Sequence, residues 1–400
     1  MAFDEKKREK GLGMVRGMKV LYIAKRGPNN IAAKTHLSVI KAIYGADNVI
    51  EIDLLKAFPE HKDRYIAYGY NSKNPGERII RFLQGNSPFI SNKIIGDLCS
   101  VIRENQISLV FSEESDLGNL YKKVKDTFQN VKIICFFHDI SADLFAKRID
   151  DAPKWKQHYI LECKNIIKQE KVTQKYVDEK WVFNQADAER FMAHYGYAPD
   201  EIIPMGAPIP KTGEEYKKIV TDKEDKKQML FVCSSYYVNI DGFKWFYQNV
   251  IPNLKKKYHI IIVGTGAQQL KSLITNEDIE ILGRVESMAA YYESADVIIE
   301  PVFDGGGMKV KTIEALSFGK VIVSTSESLN GYWEAVPEAL RGKKIFRCNT
   351  ADEWIVACNS ILDSEIRRYN SDVFNVFVEA FSEDVLQKRF SHSLRNLCKD

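Results

Sequence analysis

Short apolar runs that alternate with stretches of helical periodicity are the feature that most constrains how this chain folds. In the first half the runs read KVLYI, VIEID, ISLVF and VKIICFF, and a segment with helical spacing of apolar residues lies between one run and the next. Strands that crossover helices cover on both faces are apolar throughout instead of alternating. The pattern therefore predicts a parallel sheet flanked by helices.

The same rhythm resumes after a polar interruption. Residues 211–228 (KTGEEYKKIVTDKEDKKQ) are almost entirely polar, and they are followed by MLFVC, YHIIIVG, IEILG, DVIIEP and KVIVST. A chain of 400 residues also exceeds the size at which a single core usually stops growing. We therefore expect an α/β fold with two Rossmann-like, doubly wound domains that face each other across a cleft. In such sheets ligands bind beyond the carboxyl ends of the strands.

Domain boundaries follow from this interruption. We expect a charged N-terminal extension at residues 1–18, an N-terminal domain at 19–210, the linker at 211–228, a C-terminal domain at 229–381 and a final helical segment at 382–400.

Composition narrows the class of protein further. Hydrophobic residues make up 45% of the chain and charged residues 28%, as in a folded globular protein. The seven cysteines are scattered without C-x-x-C spacing, which is typical of reduced thiols in a cytoplasmic protein. The N-terminus has no signal-like apolar stretch, and no run of about 18 apolar residues could span a bilayer. We expect a protein that is neither exported nor integral to a membrane.

Charge and patterning leave contact with a membrane surface open. Residues 1–200 contain 32 Lys and Arg against 26 Asp and Glu, while the remainder contains 25 against 28. This asymmetry fits a first half that faces anionic lipid or a phosphate-bearing acceptor, and it fits an ordinary solvated surface equally well. An amphipathic, lipid-facing surface at the inner face of the membrane could be formed by Arg78, Ile79, Ile80, Arg81, Phe82, Leu83 and Lys93. No feature indicates nucleic acid.

A glycine-rich turn is the most informative motif. Gly305–Gly307 separate the run DVIIEP from a helical pattern that begins near Val310. Glycines at a strand-to-helix turn let a ligand approach the backbone, and the amides of a helix N-terminus bind anions such as a diphosphate. Lys309 and Lys311 add positive charge. Glu314, one helical turn after Lys311, can accept two hydrogen bonds from a ribose diol.

This motif resembles the family 4 glycosyltransferases, especially those that build bacterial surface polysaccharides. The family has a turn that reads roughly G-x-K-x-K-x-x-E-A-L before a strand G-K-x-V-V, and here Gly307 to Leu316 and Gly319 to Val323 are similar to it. The resemblance implies the GT-B fold, a nucleotide-sugar donor bound by the C-terminal half, and a final helical segment that packs back on the first domain. ILGRV (Ile281 to Val285) resembles the turn whose backbone pairs with the nucleotide base.

Candidate site residues follow from the motif and the resemblance together. The candidates for donor binding are Ser234, Ser235, Asn239, Gly264, Arg284, Val285, Gly305, Gly306, Gly307, Met308, Lys309, Lys311 and Glu314. The resemblance implies a strand-end histidine near the transferred sugar, which corresponds to His138, although a hydrogen-bonded structural histidine fits the position as well. The candidates for catalysis are His138, Lys311 and Asp304, and those on the acceptor side are Gly27, Asn29, Asn30, Glu113 and Asp139.

The chain departs from the family pattern at two places. Many members have a glutamate eight residues before the one that corresponds to Glu314, where it contacts the donor sugar, but this chain has Gly306 there. Asp304 is close enough to substitute for it. The segment SSYYVNIDGFKW also lacks the arginine that neutralises the diphosphate in many relatives, so that Lys309 and Lys311 would have to do so, with Arg284 as a weaker candidate.

These features predict transfer of a sugar from a nucleotide-sugar, with UDP or GDP as the nucleotide, to a lipid-linked or oligosaccharide acceptor. No D-x-D motif with a neighbouring ligand occurs, which favours a reaction without metal or other cofactor. The resemblance implies retention at the anomeric carbon. An inverting enzyme would need a base, for which Asp139 or Glu113 are candidates.

Two alternatives stay open and a third is disfavoured. A nucleotide-sugar epimerase of the same fold would need acid and base carboxylates around the sugar, and a catalytically silent binding protein is favoured by Gly306. A dinucleotide-dependent oxidoreductase is disfavoured because KVLYIAKRGPNN lacks G-x-G-x-x-G.

Overall fold

A computed structural model of the chain describes residues 18–25, 30–54, 65–67, 75–150, 156–210, 226–365 and 368–397. Two compact units emerge. The described residues up to Pro204, together with those from Leu386 onward, form the first unit, and the second runs from Met205 to Val385. The sequence had placed the boundary at residue 211 instead. Residues 1–17 of the predicted extension at 1–18, Gly27, Asn29 and linker residues 211–225 lie outside the described residues.

The first unit is built on a parallel sheet in the order β3-β2-β1-β4-β5-β6-β7. Its strands are β1 (Val20–Ala24), β2 (Val49–Asp53), β3 (Tyr65–Ala67), β4 (Leu109–Ser112), β5 (Lys132–Phe137), β6 (Glu179–Val182) and β7 (Glu201–Ile202). Its helices are α1 (Ile31–Tyr44), α2 (Pro75–Leu83), α3 (Asn92–Asn105), α4 (Gly118–Thr127), α5 (Ser141–Asp150), α6 (Gln157–Tyr176) and α7 (Gln185–Tyr195).

The second unit is built on a parallel sheet in the order β10-β9-β8-β11-β12-β13. Its strands are β8 (Lys227–Val232), β9 (Tyr258–Val263), β10 (Ile279–Gly283), β11 (Val297–Glu300), β12 (Val321–Ser324) and β13 (Ile345–Arg347). Its helices are α8 (Tyr237–Asn249), α9 (Ala289–Ser294), α10 (Val310–Ser317), α11 (Ala351–Leu362) and α12 (Ser371–Ala380). The last helix, α13 (Glu383–Leu397), begins at the end of this unit and lies mostly in the first.

Burial explains why the strands are apolar throughout. Every residue of β1, β4, β9, β11 and β12 is buried, because helices cover both faces of each sheet. The prediction of two doubly wound α/β domains is therefore confirmed. Between β9 and β10 the chain forms the short 3-10 turn Ala267–Leu270.

The C-terminal helix α13 completes the core of the first unit. Phe390 is fully buried, and its ring centroid lies 5.1 Å from that of Trp181 and 5.6 Å from that of Phe111. Leu386 and Leu394, one helical turn away on either side, are buried as well. The first unit therefore consists of two separate stretches of the chain.

The strand orders fix where a ligand can bind in each unit. In the first sheet the order reverses between β1 and β4, and in the second it reverses between β8 and β11. Loops that leave the carboxyl ends of such a strand pair diverge to opposite faces and open a crevice. The loops after β1 and β4, and those after β8 and β11, are therefore the places to look for chemistry.

Among the described residues, no helix is both long enough and apolar enough to cross a lipid bilayer.

Candidate functional site

The glycine-rich turn joins β11 to α10 at the switch point of the second sheet. Gly305 has φ 132° and Gly307 has φ 60°, so both adopt a backbone that residues with a side chain rarely reach. The turn leads into α10, whose first-turn amides carry the positive end of the helix dipole and whose N-cap residue, Lys309, makes no side-chain cap hydrogen bond. This geometry suits an anionic group.

Lys311 lies beneath this turn and is held by neutral partners. Its Nζ donates to Asn239 Oδ1 and lies 3.5 Å from the carbonyl oxygen of Val232. Asn239 in turn donates to Ser234 Oγ at 2.8 Å. Burial lowers the pKa of Lys311 to about 8, despite the opposing charge of Glu300. Since no ion pair with Lys311 occurs among the described residues, its charge is available to an incoming anion.

Lys309 differs from Lys311 in this respect. Its Nζ donates to Glu327 Oε1 at 2.8 Å and to the Gly306 carbonyl at 2.9 Å. The ion pair compensates the charge that the sequence had assigned to a diphosphate. Lys309 therefore stabilises the turn by joining Gly306 to the segment after β12.

Glu314, which the sequence predicts to bind a ribose diol, lies in the second turn of α10. Its Oε2 accepts a hydrogen bond from Tyr292 Oη at 2.8 Å. Burial raises the pKa of Glu314 to about 7, although the Tyr292 hydrogen bond works against the shift. The carboxyl group is therefore partly protonated near neutral pH, and its other oxygen remains available for a hydroxyl partner.

Three loops pack closely at the carboxyl ends of β8, β9 and β10. A Cβ on Gly264, which has φ 118°, would lie 2.3 Å from the Cys233 carbonyl oxygen, and one on Gly266 would lie 2.1 Å from that of Ser234. The Gly264 amide donates to the Gly283 carbonyl at 2.6 Å. Only glycine fits such contacts, so these positions fix the shape of the nucleotide-side loops.

The remaining donor-side candidates fall into two groups. Ser234, Ser235 and Arg284 are exposed and Val285 is half-buried, so their surfaces are accessible. Met308 is 5% exposed, and its sulfur accepts a hydrogen bond from the Met205 amide at 3.2 Å. The Met308 side chain therefore points into the core, and its assignment to donor contact needs correction, since only its backbone can take part.

Asp304 makes local contacts at the rim of the turn. Its Oδ1 accepts from the Gly305 amide at 2.8 Å, and its Oδ2 lies 3.4 Å from Tyr237 Oη. The side chain is half-buried, and it lies two residues before Gly306, where the family pattern has a glutamate.

Glu300 is a buried residue that sequence reasoning missed. Its Oε2 accepts from Thr312 Oγ1 at 2.7 Å and from Ser324 Oγ at 3.0 Å, while its Oε1 is buried without a partner among the described residues. Burial raises the pKa of Glu300, which favours the neutral acid. Its place at the end of β11, just before the turn, was the available signal.

Three elements of the first unit meet at one carboxylate. Glu113 follows β4, and its Oε2 lies 2.5 Å from His138 Nε2 while its two oxygens each lie 3.1 Å from His36 Nδ1. Tyr22 Oη lies 2.6 Å from Oε1 and 2.6 Å from the Ala33 carbonyl oxygen, so its one proton is shared between these two acceptors. Burial alone would raise the pKa of Glu113, but the two imidazoles hold it well below its usual range. The Glu113 side chain is only 1% exposed.

These contacts correct the assignment of Glu113 as an acceptor-side residue and candidate base. A base that removes a proton from an acceptor must reach it within hydrogen-bond distance. Glu113 is enclosed and its oxygens already accept from three neighbours, so it cannot face an acceptor. His138, with a side chain 25% exposed, is the member of this cluster that can.

Other candidates on this side lie around the same sheet edge. Asp139 follows His138 directly and is half-buried. The Asn30 side-chain oxygen caps α1 by accepting from the Ala33 amide at 2.9 Å, which gives it a structural role. Lys25, directly after β1, pairs with Asp116 at 2.7 Å and Glu114 at 2.8 Å and so ties the end of β1 to the segment after β4.

A metal ion is the other ligand that two histidines and a glutamate suggest. The ligand atoms of His36, Glu113 and His138 lie within 4.8 Å of one another. Donor atoms around a tetrahedral zinc ion stand about 3.3 Å apart. The observed separations of 2.5 and 3.1 Å are shorter and match direct hydrogen bonds. The cluster is therefore a hydrogen-bonded network.

Sequence comparison finds a family that most of the second unit resembles. Residues 226–364 match the family described as "Glycosyl transferases group 1". An uncharacterized glycosyltransferase of Methanocaldococcus jannaschii is 25% identical over 245 residues, which cover 59% of this chain. The alignment spans only 55% of that relative's length.

Solved structures resemble the chain over nearly its whole length. HepE of Anabaena, in complex with UDP and glucose, superposes with a TM-score of 0.64 over 95% of this chain and 100% of its own, at 11% identity. Sucrose-phosphate synthase of Thermosynechococcus elongatus gives a TM-score of 0.67 over 96% and 100%, also at 11% identity. The chain therefore has the GT-B fold, and its residues 226–364 are similar to the glycosyl transferases of group 1.

Proposed function

We propose that the chain is a glycosyltransferase that moves a sugar from a nucleotide-sugar to a hydroxyl group of a lipid-linked or oligosaccharide acceptor. The observation that carries the proposal is the turn of the second unit, where Lys311 lies beside the helix N-terminus, forms no ion pair with any described residue, and is followed one turn later by Glu314. A bound diphosphate needs a positive charge such as that of Lys311 at the helix N-terminus, and a ribose diol needs a carboxylate such as that of Glu314. The family match and the UDP bound by HepE support this assignment.

The nucleotide-sugar is proposed to carry UDP or GDP, and no cofactor beyond the donor is invoked. Departure of a nucleoside diphosphate leaves negative charge on its β-phosphate, which oriented amides and a lysine can stabilise without a metal. Lys311 and the first turn of α10 supply both. Asp304 is proposed to contact the donor sugar in place of the glutamate that Gly306 replaces.

We propose retention at the anomeric carbon. An inverting reaction needs a base at the acceptor hydroxyl. Glu113 is enclosed by Tyr22 and two histidines, which leaves Asp139 as the candidate among the residues named from the sequence. Retention requires no such base, so it fits the observed surroundings of Glu113 better.

Contact with a membrane would bring the enzyme to a lipid-linked acceptor, and we propose that α2 makes it. Ile79, Ile80 and Leu83 are 57%, 54% and 77% exposed. The arginines beside them do not add free charge as the sequence suggested, because Arg78 pairs with Glu162 at 2.5 Å and Arg81 with Glu77 at 3.1 Å. The proposed contact is therefore mainly apolar and would lie at the cytoplasmic face of the membrane.

The experiment that tests the proposed function measures nucleoside diphosphate release and sugar transfer from a panel of UDP- and GDP-sugars, with and without lipid-linked oligosaccharide. We expect transfer by the wild type and loss of transfer in Lys311→Ala and Glu314→Ala. Interconversion of donors without acceptor would instead favour the epimerase. Binding without any turnover would favour the silent protein, and either result would contradict the proposal.

A further inference from the structure

The protonation of the Glu113 cluster can be worked out from its hydrogen bonds. His36 is fully buried, and its Nε2 has no hydrogen-bond partner among the described residues. Its ring lies among aromatic side chains, 4.7 Å from Phe136 and 5.1 Å from Phe390 between ring centroids. A charged imidazolium would place an unsatisfied N–H in this apolar cage, which is costly. His36 therefore meets Glu113 through Nδ1, and its enclosed Nε2 offers nothing to a ligand.

His138, with a side chain 25% exposed, is the histidine of this cluster at which a positive charge opposite Glu113 costs least to bury. Its Nε2 lies 2.5 Å from Glu113 Oε2, in direct hydrogen-bond contact with the carboxylate. Burial works against the charged ring, but the Glu113 hydrogen bond and the charges of Glu113, Glu114 and Asp139 together raise the pKa of His138 above its ordinary value.

The same contact decides which nitrogen of His138 can meet a ligand. With Nε2 occupied by Glu113, only Nδ1 remains, and it has no hydrogen-bond partner among the residues that the structure describes. Tyr22 and His36 are fully buried, so neither can contact a ligand from solvent. They contact Glu113 from β1 and α1 and hold its carboxylate in place.

We propose that Glu113 is a positioning residue that keeps His138 doubly protonated and turns its Nδ1–H toward an oxygen of the sugar substrate. Glu113 touches no substrate itself and acts only through the His138 ring. His36 and Tyr22 fix the orientation of the carboxylate. The part of this inference that concerns substrate rests on the proposed function, whereas the state of the His138 ring does not.

The ring state can be measured directly by nitrogen-15 NMR of the histidine side chains. The chain has seven histidines, so the His138 signals would be assigned with His138→Gln. In the wild type we expect both nitrogens of His138 to be protonated at pH 7, with a titration midpoint above the ordinary value of about 6.5. In Glu113→Gln, which keeps the shape but removes the charge, the midpoint should fall by about one unit or more.

The matched control is Glu104→Gln, the same chemical change at an exposed position of α3, which should leave the midpoint in place. A neutral His138 ring in the wild type at pH 7, or an unshifted midpoint in Glu113→Gln, overturns the proposal. If Glu113→Gln does not fold, the protonation of the His138 ring in the wild type still tests the proposal, because that measurement needs no variant at Glu113.

A kinetic measurement tests the link to substrate. The alkaline limb of the kcat/KM profile should move to lower pH in Glu113→Gln by the same amount as the His138 midpoint, a loss of about tenfold at pH 8 for a shift of one unit. If Glu113 had a purely structural role, Glu113→Gln would lower activity without moving the alkaline limb. That result would overturn the proposed contact between His138 and the substrate. A chain that transfers no sugar defeats the proposed function, while the NMR titration still tests Glu113.

Discussion

At the scale of single residues, the two lysines of the glycine-rich turn make different predictions. Lys311 has neutral partners, whereas Lys309 pairs with Glu327 at 2.8 Å. A hydrogen bond to a charged group contributes roughly 1.5–3 kcal/mol. We expect Lys311→Ala to weaken UDP or GDP binding about 10- to 100-fold by isothermal titration calorimetry. Lys309→Ala should cost less than about threefold, since its charge is already compensated. Equal losses would contradict the distinction.

The pH dependence of nucleotide binding tests Glu314 together with Lys311. Glu314, with a pKa of about 7, should accept ribose hydroxyls best when ionised, so affinity rises as pH passes through 7. Lys311, with a pKa of about 8, attracts phosphate only when protonated, so affinity falls above 8. Dissociation constants measured between pH 5.5 and 9 should therefore pass through an optimum.

Glu314→Gln serves as the control for the acid side. The terminal phosphate of the nucleotide ionises near pH 6 and contributes its own rise there. Glu314→Gln should keep that rise and lose the part near pH 7. An unchanged profile in this variant would show that Glu314 does not contact the nucleotide.

At the scale of elements, the loops after β8 and β9 depend on glycine. Gly264 and Gly342 both have positive φ, 118° and 67°, but a Cβ would meet the Cys233 carbonyl at 2.3 Å in the first case and nothing within 4 Å in the second. Each alanine substitution costs roughly 1–2 kcal/mol of backbone strain. Gly264→Ala should lower the free energy of unfolding by about 3 kcal/mol or more in a urea titration. A loss no greater than that of Gly342→Ala would contradict the close packing.

The exposed face of α2 makes a separate prediction. Ile79 and Leu83 are one helical turn apart and more than half exposed. Burying such side chains in lipid contributes roughly 1.5–3 kcal/mol each. The double substitution Ile79→Ser and Leu83→Ser should lower partitioning onto lipid vesicles at least tenfold. Val356→Ser, at an exposed apolar residue of α11, is the control and should have no effect.

The sequence predicted those elements that are determined by residues close together in the chain. The strands and the α10 turn were predictable because apolar runs and glycine spacing are local features. Helix α5 was missed, since its first amides, Ser141 and Ala142, donate to Glu170 from a distant helix, each at 2.9 Å. A carboxylate that caps a helix from elsewhere in the chain leaves no pattern in the helix itself.

The candidate site shows the same division. Lys311 and Glu314 were identifiable from their spacing in one helix, but the burial of Glu113 was not. It depends on His36, Tyr22 and His138, which come from α1, β1 and the end of β5. The neighbouring ends of β4 and β5 were the one available signal, because adjacent parallel strands bring the residues that follow them together.

At the scale of the whole molecule, each unit can be tested on its own terms. The second unit carries the family match at residues 226–364 and the residues that we assign to the nucleotide. The first unit carries the Glu113 cluster, whose state is measurable without any nucleotide. Loss of nucleotide binding and loss of the His138 charge are therefore independent outcomes, and each locates a failure in one unit.

The most direct test of the central claim is thermal stability against a panel of nucleoside diphosphates and nucleotide-sugars, for the wild type, Lys311→Ala and Glu314→Ala. A ligand that binds only the folded state raises the melting temperature by mass action. We expect one nucleotide and its sugar conjugate to raise the melting temperature of the wild type, and we expect both substitutions to abolish this shift. If no nucleotide shifts the wild type, or if the variants respond as the wild type does, the assignment of the donor site is wrong.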